Sequence, residues 1–282
     1  MRQSPSRFSW GERVRKMTNA ASDRWVGGEA YEAYMGRWSR LLAREFVEWL
    51  NPKPEAHWLE VGCGTGALTS AICDFCEPSS IVACDPSEPF VEHARKNLSN
   101  VQVAFAVAGA EALPLREGGF DEVVSGLVLN FVPDPSKAVA SMRERLRPGG
   151  TAAAYVWDYG EGMEFLRYFW EEAVALDSRA ETLDEGRRFP LCQEPALASL
   201  FRASSLTTVE TVELNIPTVF ATFEDYWTPL LRGNGPAPSY VASLDLANLE
   251  HLRDRLRQRL RAESDGRIHL RARAWAVRGV TF

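Results

Sequence analysis

The stretch Trp58-Leu-Glu-Val-Gly-Cys-Gly-Thr-Gly66 decides the fold. A short apolar strand, His57–Gly62, ends in a glycine-rich turn, and Ala67–Cys76 continues as a helix. Gly62, Gly64 and Gly66 let the backbone take positive φ and let a ligand lie against main-chain atoms with no Cβ in the way. Read loosely, Gly62-x-Gly64-x-x-Ala67 also fits the dinucleotide fingerprint. The glycines alone therefore leave two cofactor classes open.

Outward from this turn, strands and helices alternate. Ser80–Asp85, Val101–Val107, Phe120–Val128 and Thr151–Trp157 read as strands, and Glu88–Leu98 and Lys137–Leu146 as helices. Continuous apolar strands separated by helices imply parallel strands buried on both faces. Right-handed crossovers wind them into a three-layer α/β sandwich. Upstream, Tyr31, Tyr34, Trp38, Leu41, Leu42, Phe46 and Leu50 recur at helical spacing until Asn51-Pro-Lys-Pro54 stops the helix.

Beyond Asp158 the pattern loosens. Pro195–Ala203 reads as a helix, Thr207–Asn215 and Arg267–Val280 alternate as strands, and the last strand is expected to return antiparallel. A helix around Leu249–Leu260 carries Leu249, Leu252, Leu256 and Leu260 on one stripe, ringed by Arg253, Arg255, Arg257, Arg259 and Arg261, which read as a solvated face. A Gly233-Asn-Gly-Pro236 turn precedes it. The expected organisation is one domain over residues 25–282, with cap insertions near 159–205 and 217–265 and a disordered extension at 1–24. Met17 offers an alternative start, which would make residues 1–16 non-native.

Composition narrows the function classes. The 282 residues carry a net charge of −6, a poor match to nucleic acid, whose phosphates need a basic face. No apolar run reaches the roughly 20 residues that span a bilayer, and the start has no apolar signal core. A soluble cytoplasmic protein without membrane insertion is expected. Cys73-Asp-Phe-Cys76 has C-x-x-C spacing, but no second such pair and no paired His motif completes a ligand set. The five cysteines read as buried reduced thiols, and no metal site is expected.

Glu60 separates the cofactor classes. A dinucleotide rests its pyrophosphate at the helix N-terminus, where a nearby carboxylate repels it. S-adenosylmethionine has no phosphate and carries a sulfonium and an amino group, so an acid beneath the turn suits it. Asp85, closing the second strand, can accept both ribose hydroxyls of either class and can also cap the next helix.

Downstream, Glu111-Ala-Leu-Pro-Leu115, Phe120-Asp-Glu-Val-Val124, Leu127-Val-Leu-Asn-Phe-Val-Pro-Asp134 and Leu146-Arg-Pro-Gly-Gly150 follow in order at close spacing. With the glycine turn, this set resembles the class I S-adenosylmethionine-dependent methyltransferases, especially the small-molecule branch that includes quinone-biosynthesis C-methyltransferases. The resemblance covers roughly Tyr31 to Asp158. It implies a seven-stranded, mostly parallel sheet whose last strand is antiparallel. It assigns Gly62, Gly64 and Gly66 to the methionine part of the cofactor, Asp85 to the ribose, and Ala110 and Glu111 to adenine. Ser125, Gly126 and Leu127 would lie under the sulfonium. Where the family usually carries an acid before Ala110, this chain has Gly109. Tyr31-x-x-Tyr34-Met-Gly-Arg-Trp38 resembles the helix that covers the cofactor, with Arg37 placed to pair with the methionine carboxylate.

The implied chemistry is in-line methyl transfer to an unidentified small-molecule acceptor, in which alignment and exclusion of water do most of the work. A general base is needed only if the acceptor must lose a proton. Asn130, Trp157 and Asp158 qualify by position at strand ends, with Asp158 more suited to capping the next segment. His57 and His93 lie on the wrong sides of the glycine turn. Phe165, Tyr168, Phe169, Trp170, Phe189, Tyr226, Trp227 and Tyr240 suggest an aromatic cap closing over the acceptor. The alternatives are an NAD-dependent oxidoreductase and a non-catalytic nucleoside-binding protein.

Overall fold

The computed structural model describes residues 31–98, 100–232 and 235–282. The expected extension at 1–24, the alternative start at Met17 and half of the Gly233–Pro236 turn lie outside these.

A seven-stranded sheet in the order β3-β2-β1-β4-β5-β7-β6 organises the chain. The strands are β1 (His57–Val61), β2 (Ser80–Asp85), β3 (Val103–Val107), β4 (Phe120–Gly126), β5 (Leu146–Trp157), β6 (Thr207–Phe220) and β7 (Ile268–Val280). β1 to β5 are mutually parallel, whereas β7 lies antiparallel between β5 and β6. This is the Rossmann-like arrangement with one reversed strand.

Two strand boundaries differ from expectation by five residues. β6 runs on to Phe220 through Pro217, which is tolerated because β6 is the sheet edge and a missing N–H breaks no inner ladder. β6 thus takes up the first residues of the segment expected as the second cap insertion, near 217–265. The Arg147–Gly150 turn is absorbed into β5 as an irregularity. Pairing jumps from Phe120 with Leu146 to Glu122 with Thr151, and Gly149 bends the chain at φ +75°.

The helices before and between the strands are α1 (Arg37–Leu50), α2 (Ala67–Phe75), α3 (Glu88–Asn97) and α4 (Pro135–Glu144). α1 buries Trp38, Leu42, Phe46 and Leu50, one per turn, and its Phe46 ring packs 4.6 Å from Tyr155 on β5. It ends at Asn51, in the left-handed region at φ 45°, before Pro52. Strand order reverses between β1 and β4, so their carboxyl ends splay apart into a crevice. Val61 pairs with Cys84, which puts the glycine turn beside Asp85 at the mouth of that crevice.

After β5 come α5 (Glu164–Leu176) and α6 (Glu194–Ala203), and between β6 and β7 come α7 (Phe223–Leu230), α8 (Pro236–Ser243) and α9 (Leu246–Arg259). The arginine row of α9 is not a freely solvated face. Arg255 and Arg259 bond to Glu172 on α5 at 2.6 and 3.0 Å, and Arg253 and Arg257 reach Glu224 on α7 at 3.2 and 2.6 Å. Leu252 and Leu256 beneath are fully buried, so apolar packing and ion pairs fasten α9 to its neighbours together. None of the helices among the described residues is long and apolar enough to cross a membrane.

Candidate active site

The cleft begins where β1 breaks. Gly62 N–H and Cys63 N–H both donate to Cys84 O, at 2.7 and 2.9 Å, and Gly66 N–H donates to Cys63 O at 2.8 Å. All three turn glycines have positive φ, but for different reasons. A Cβ at Gly62 would meet the Val128 side chain at 2.5 Å, and one at Gly66 would meet Leu98 at 2.5 Å. A Cβ at Gly64 would meet nothing within 4 Å. Gly62 and Gly64 line the cleft, and Gly64 alone presents a bare backbone edge to open space. Gly66, expected beside the cofactor, does not line the cleft; it turns the chain into α2 beneath Leu98.

Three carboxylates face this cavity of about 470 Å³, and no Lys, Arg or His lines it among the described residues. Glu60 lies below the turn, 1% exposed, where its Oε2 accepts from the Thr69 hydroxyl at 2.5 Å. Burial pushes its carboxyl up to about 7, and the charge of Asp85 adds to this while the Thr69 bond opposes it. Asp85 accepts from Gly64 N–H at 3.0 Å and Ser87 N–H at 2.8 Å, which ties the turn to β2. Burial raises its carboxyl and the two backbone bonds pull it down. A carboxylate offers about four acceptor sites, so these two bonds leave room for ribose hydroxyls. Ala110 and Glu111 line the far end after β3. The Glu111 carboxylate lies 2.7 Å from where a side chain at Gly109 would begin.

The opposite wall comes from the ends of β4 and β5. Leu127 sits at φ 61°, an unusual conformation for a branched residue, pinned by its N–H to Tyr155 O at 2.8 Å. Trp157 lines the cleft as expected, together with Phe131, Tyr155 and Tyr159. Three strand-end candidates do not. Ser125 is fully buried and donates to Val61 O at 2.9 Å, so it staples β4 to β1 and does not line the cleft. The Asn130 amide nitrogen is buried with no hydrogen-bond partner and stands outside the cleft. Asp158 binds Arg273 at 2.8 and 2.6 Å and accepts from Glu161 N–H at 3.1 Å, which leaves no base at this position.

Tyr31, Met35 and Ser39 close the cleft from the π-helical turn Glu32–Gly36 and the start of α1. Thr65 in the glycine turn donates to Glu32 at 2.6 Å and anchors this cover. Arg37 points elsewhere. Its guanidinium holds Asp225 at 3.0 and 3.1 Å and stacks over Trp38 and Phe220, so it does not line the cleft. Of the aromatic residues in the two expected insertions, Tyr159 lines the cleft, whereas those expected to form the cap over the acceptor, Phe165, Tyr168, Phe169, Trp170, Phe189, Tyr226, Trp227 and Tyr240, do not. Phe165, Phe169, Trp170, Tyr226, Trp227 and Tyr240 are buried against one another and against β6, with the Tyr226 hydroxyl donating to Phe165 O at 3.0 Å.

Phe90 and Tyr155 belong to no motif, and Met35 and Phe131 sit inside quoted motifs without being singled out; these four were missed as cleft residues. One signal was available: Tyr155, Trp157 and Tyr159 follow the two-residue period that puts them on one strand face.

Residues 59–154 match the sequence profile of a methyltransferase domain. The chain carries a methyltransferase domain. Over 150 residues it is 35% identical to the malonyl-[acyl-carrier protein] O-methyltransferase of Geobacter sulfurreducens, across 52% of this chain and 54% of that protein. Over 134 residues it is 31% identical to the nocamycin O-methyltransferase of Saccharothrix syringae, across 45% of this chain and 46% of that one. The chain thus spans about half the length of these curated relatives, or less, and both are named for transfer to oxygen rather than carbon. The phosphoethanolamine N-methyltransferase 2 of Haemonchus contortus, solved with S-adenosyl-L-methionine, shares the fold at a TM-score of 0.54 and 15% identity, over 97% of this chain and 60% of that one. The match ends at Ala154, inside β5, so it takes in the glycine turn, Asp85 and Glu111 but not Trp157 or Tyr159.

Proposed function

We propose that this protein transfers a methyl group from S-adenosylmethionine to a small-molecule acceptor. The observation that carries the reading is the charge of the cleft: Glu60, Asp85 and Glu111, with no cation among the described lining residues. Such a cleft suits a positively charged nucleoside and repels the diphosphate of a dinucleotide. S-adenosylmethionine supplies an already activated methyl group, which an acceptor takes by in-line displacement.

The residues bind, orient and exclude water. Asp85 accepts ribose hydroxyls, and Gly64 lets the methionine part lie on the backbone. Glu60 balances positive charge from beneath, and Ala110 with Glu111 flanks the base. Leu127, held at positive φ, sets the wall where the methyl group is presented. Tyr31 and Met35 keep water from it. Most of the inserted segments act as a scaffold, because Phe165, Phe169, Trp170, Tyr226, Trp227 and Tyr240 pack on one another and outside the cleft.

Calorimetric titration with S-adenosylmethionine, S-adenosylhomocysteine and NAD tests the reading. Micromolar binding of the first two and none of NAD is the expected result. An empty cleft, or preference for NAD, overturns it. Transfer of isotopically labelled methyl into metabolite extracts separates an enzyme from a nucleoside-binding protein.

A further inference from the structure

Tyr155 carries a hydroxyl that the fold itself does not use. The residue is buried and lines the cleft, and its ring packs 4.6 Å from Phe46. Phenylalanine would fill that space as well, so packing does not call for the oxygen. Among the described residues no hydrogen bond engages it, whereas the nearby Tyr31 hydroxyl is bonded to Ser39 Oγ at 2.8 Å. A polar group taken out of water without a partner is destabilising, and a bound molecule that supplies the partner offsets that cost.

Register fixes where the hydroxyl lies. Tyr155 pairs with Gly126 across β5 and β4, and a Cβ at Gly126 would meet the Tyr155 oxygen at 2.6 Å. The phenol thus lies across β4, in the space that a side chain at Gly126 would take. Its backbone holds the next residue, because Tyr155 O accepts from Leu127 N–H at 2.8 Å. One residue therefore flanks the Gly126–Leu127 step, on the wall assigned to the methyl group. On β1, Glu60 pairs with Val124, two residues before Gly126, and so shares its face of the sheet. Burial, followed by Glu60 and then Tyr31, holds the hydroxyl's pKa well above the ordinary tyrosine value and keeps it a neutral phenol.

Resting on the proposed methyl transfer, we infer that the Tyr155 oxygen is a specificity contact for the sulfonium of S-adenosylmethionine, one that the uncharged sulfur of S-adenosylhomocysteine does not make. A hydroxyl has one proton and two lone pairs. Between the Glu60 carboxylate and the open cleft, the proton turns to the carboxylate and the lone pairs face the cation. The dipole is set before the ligand arrives, so binding needs no reorganisation of it. Glu60 contributes a charge that acts on any cation in the cleft, whereas Tyr155 contributes a contact at one atom. In the transfer, the acceptor's lone pair forms the new bond to the methyl carbon. The S–C bond breaks with its electrons staying on sulfur, and the positive charge passes to the acceptor. The contact is then lost, and the product is held by one interaction fewer than the donor.

Tyr155→Phe deletes the oxygen and keeps the ring. Calorimetric titration of parent and variant with S-adenosylmethionine and with S-adenosylhomocysteine reads the contact as a change in the ratio of the two affinities. The variant is expected to bind S-adenosylmethionine about fivefold more weakly and S-adenosylhomocysteine within about twofold of the parent. Its melting temperature is expected to match or exceed that of the parent, because a buried hydroxyl without a protein partner has gone. Loss of both affinities in equal measure makes Tyr155 a packing residue and overturns the inference. Unchanged affinity for both ligands overturns it too. Failure of both ligands to bind the parent protein removes the proposed function instead.

Discussion

Arg37 and Asp225, 188 positions apart, are joined by a two-oxygen ion pair at 3.0 and 3.1 Å, with the guanidinium also lying 4.3 Å above the Trp38 ring. The pair clamps the start of α1 to α7, and so couples the element that covers the cleft to the second insertion. It explains why an arginine in a motif that resembles a cofactor cover contributes no charge to the cleft.

Removing either partner is therefore a stability lesion. Arg37→Ala and Asp225→Ala should each lower unfolding free energy by about 1–2 kcal/mol, the ion pair being half-exposed and the ring stacking adding to it. S-adenosylhomocysteine affinity should change by less than about threefold. Thermal melts and calorimetry on both variants check this, and a tenfold affinity loss confined to Arg37→Ala would return Arg37 to the cofactor.

The two cleft glycines should fail differently. Gly62→Ala drives a methyl group against Val128, 2.5 Å from its side chain, and should unfold readily; pairing it with Val128→Ala should recover part of the stability. Gly64→Ala meets open space and carries only the strain of its positive φ, about 1 kcal/mol. Its cost should appear as weaker cofactor binding, on the order of tenfold, with a melting temperature close to that of the parent. Denaturant titration alongside calorimetry distinguishes the two outcomes.

Glu60 should make cofactor binding pH-dependent. Its carboxyl sits at about 7 because it is buried, and a bound cation favours the ionised form and lowers it. Binding then releases a proton near neutrality. Affinity for S-adenosylmethionine should fall as pH drops below about 7, by up to tenfold per unit until the bound-state value is reached. Glu60→Gln should bind more weakly at pH 8 and show a flat profile. Titrations in buffers of differing ionisation enthalpy count the proton directly.

Glu122, at the opposite end of β4 from the cleft, predicts a stability profile. Burial raises its carboxyl to about 8, with Asp121 adding and Thr151, Arg278 and Arg147 opposing; its Oε2 has no hydrogen-bond partner. The folded form therefore holds the proton more tightly than the unfolded chain. Stability contributed by the protonated group is present at low pH and is lost as pH rises from the unfolded value toward about 8. The loss is at most about 1.4 kcal/mol per pH unit. Glu122→Gln should be more stable than the parent at pH 8 and nearly equal to it at pH 5, measured by thermal unfolding across that range.

Local pattern and spacing were enough for the sheet. Parallel strands buried on both faces must be apolar throughout, and glycine-rich turns must follow β1, so β1, β2, β4 and β5 stand out in the chain to within a residue or two at most ends. The alternation of β7 followed for the same reason, since Ala272, Ala274 and Ala276 face the core while Arg271 and Arg273 alternate with them. The part of the cleft around the glycine turn was legible too, because Glu60, Gly62, Gly64 and Asp85 lie at short sequence separation around it.

What the chain could not reveal is where long side chains go once distant elements meet. Arg37, Asp158 and the α9 arginines all found opposite charges distant in sequence: Asp225 for Arg37, Arg273 for Asp158, and Glu172 and Glu224 for α9. Arg37 and Asp158 had been open to a role at a ligand, and the α9 arginines had read as a solvated face. Ser125 spent its hydroxyl on Val61, and the insertion aromatics spent their faces on one another. Residue type and position along a strand state what a side chain can bond to, and sequence carries that fully. Which partner it takes depends on which elements pack against it, and desolvation makes that choice final: a buried polar group must be satisfied where it lies. The backbone cradle was therefore determined by sequence, and the acidic lining of the cleft, with no cation among the described residues, by the tertiary fold.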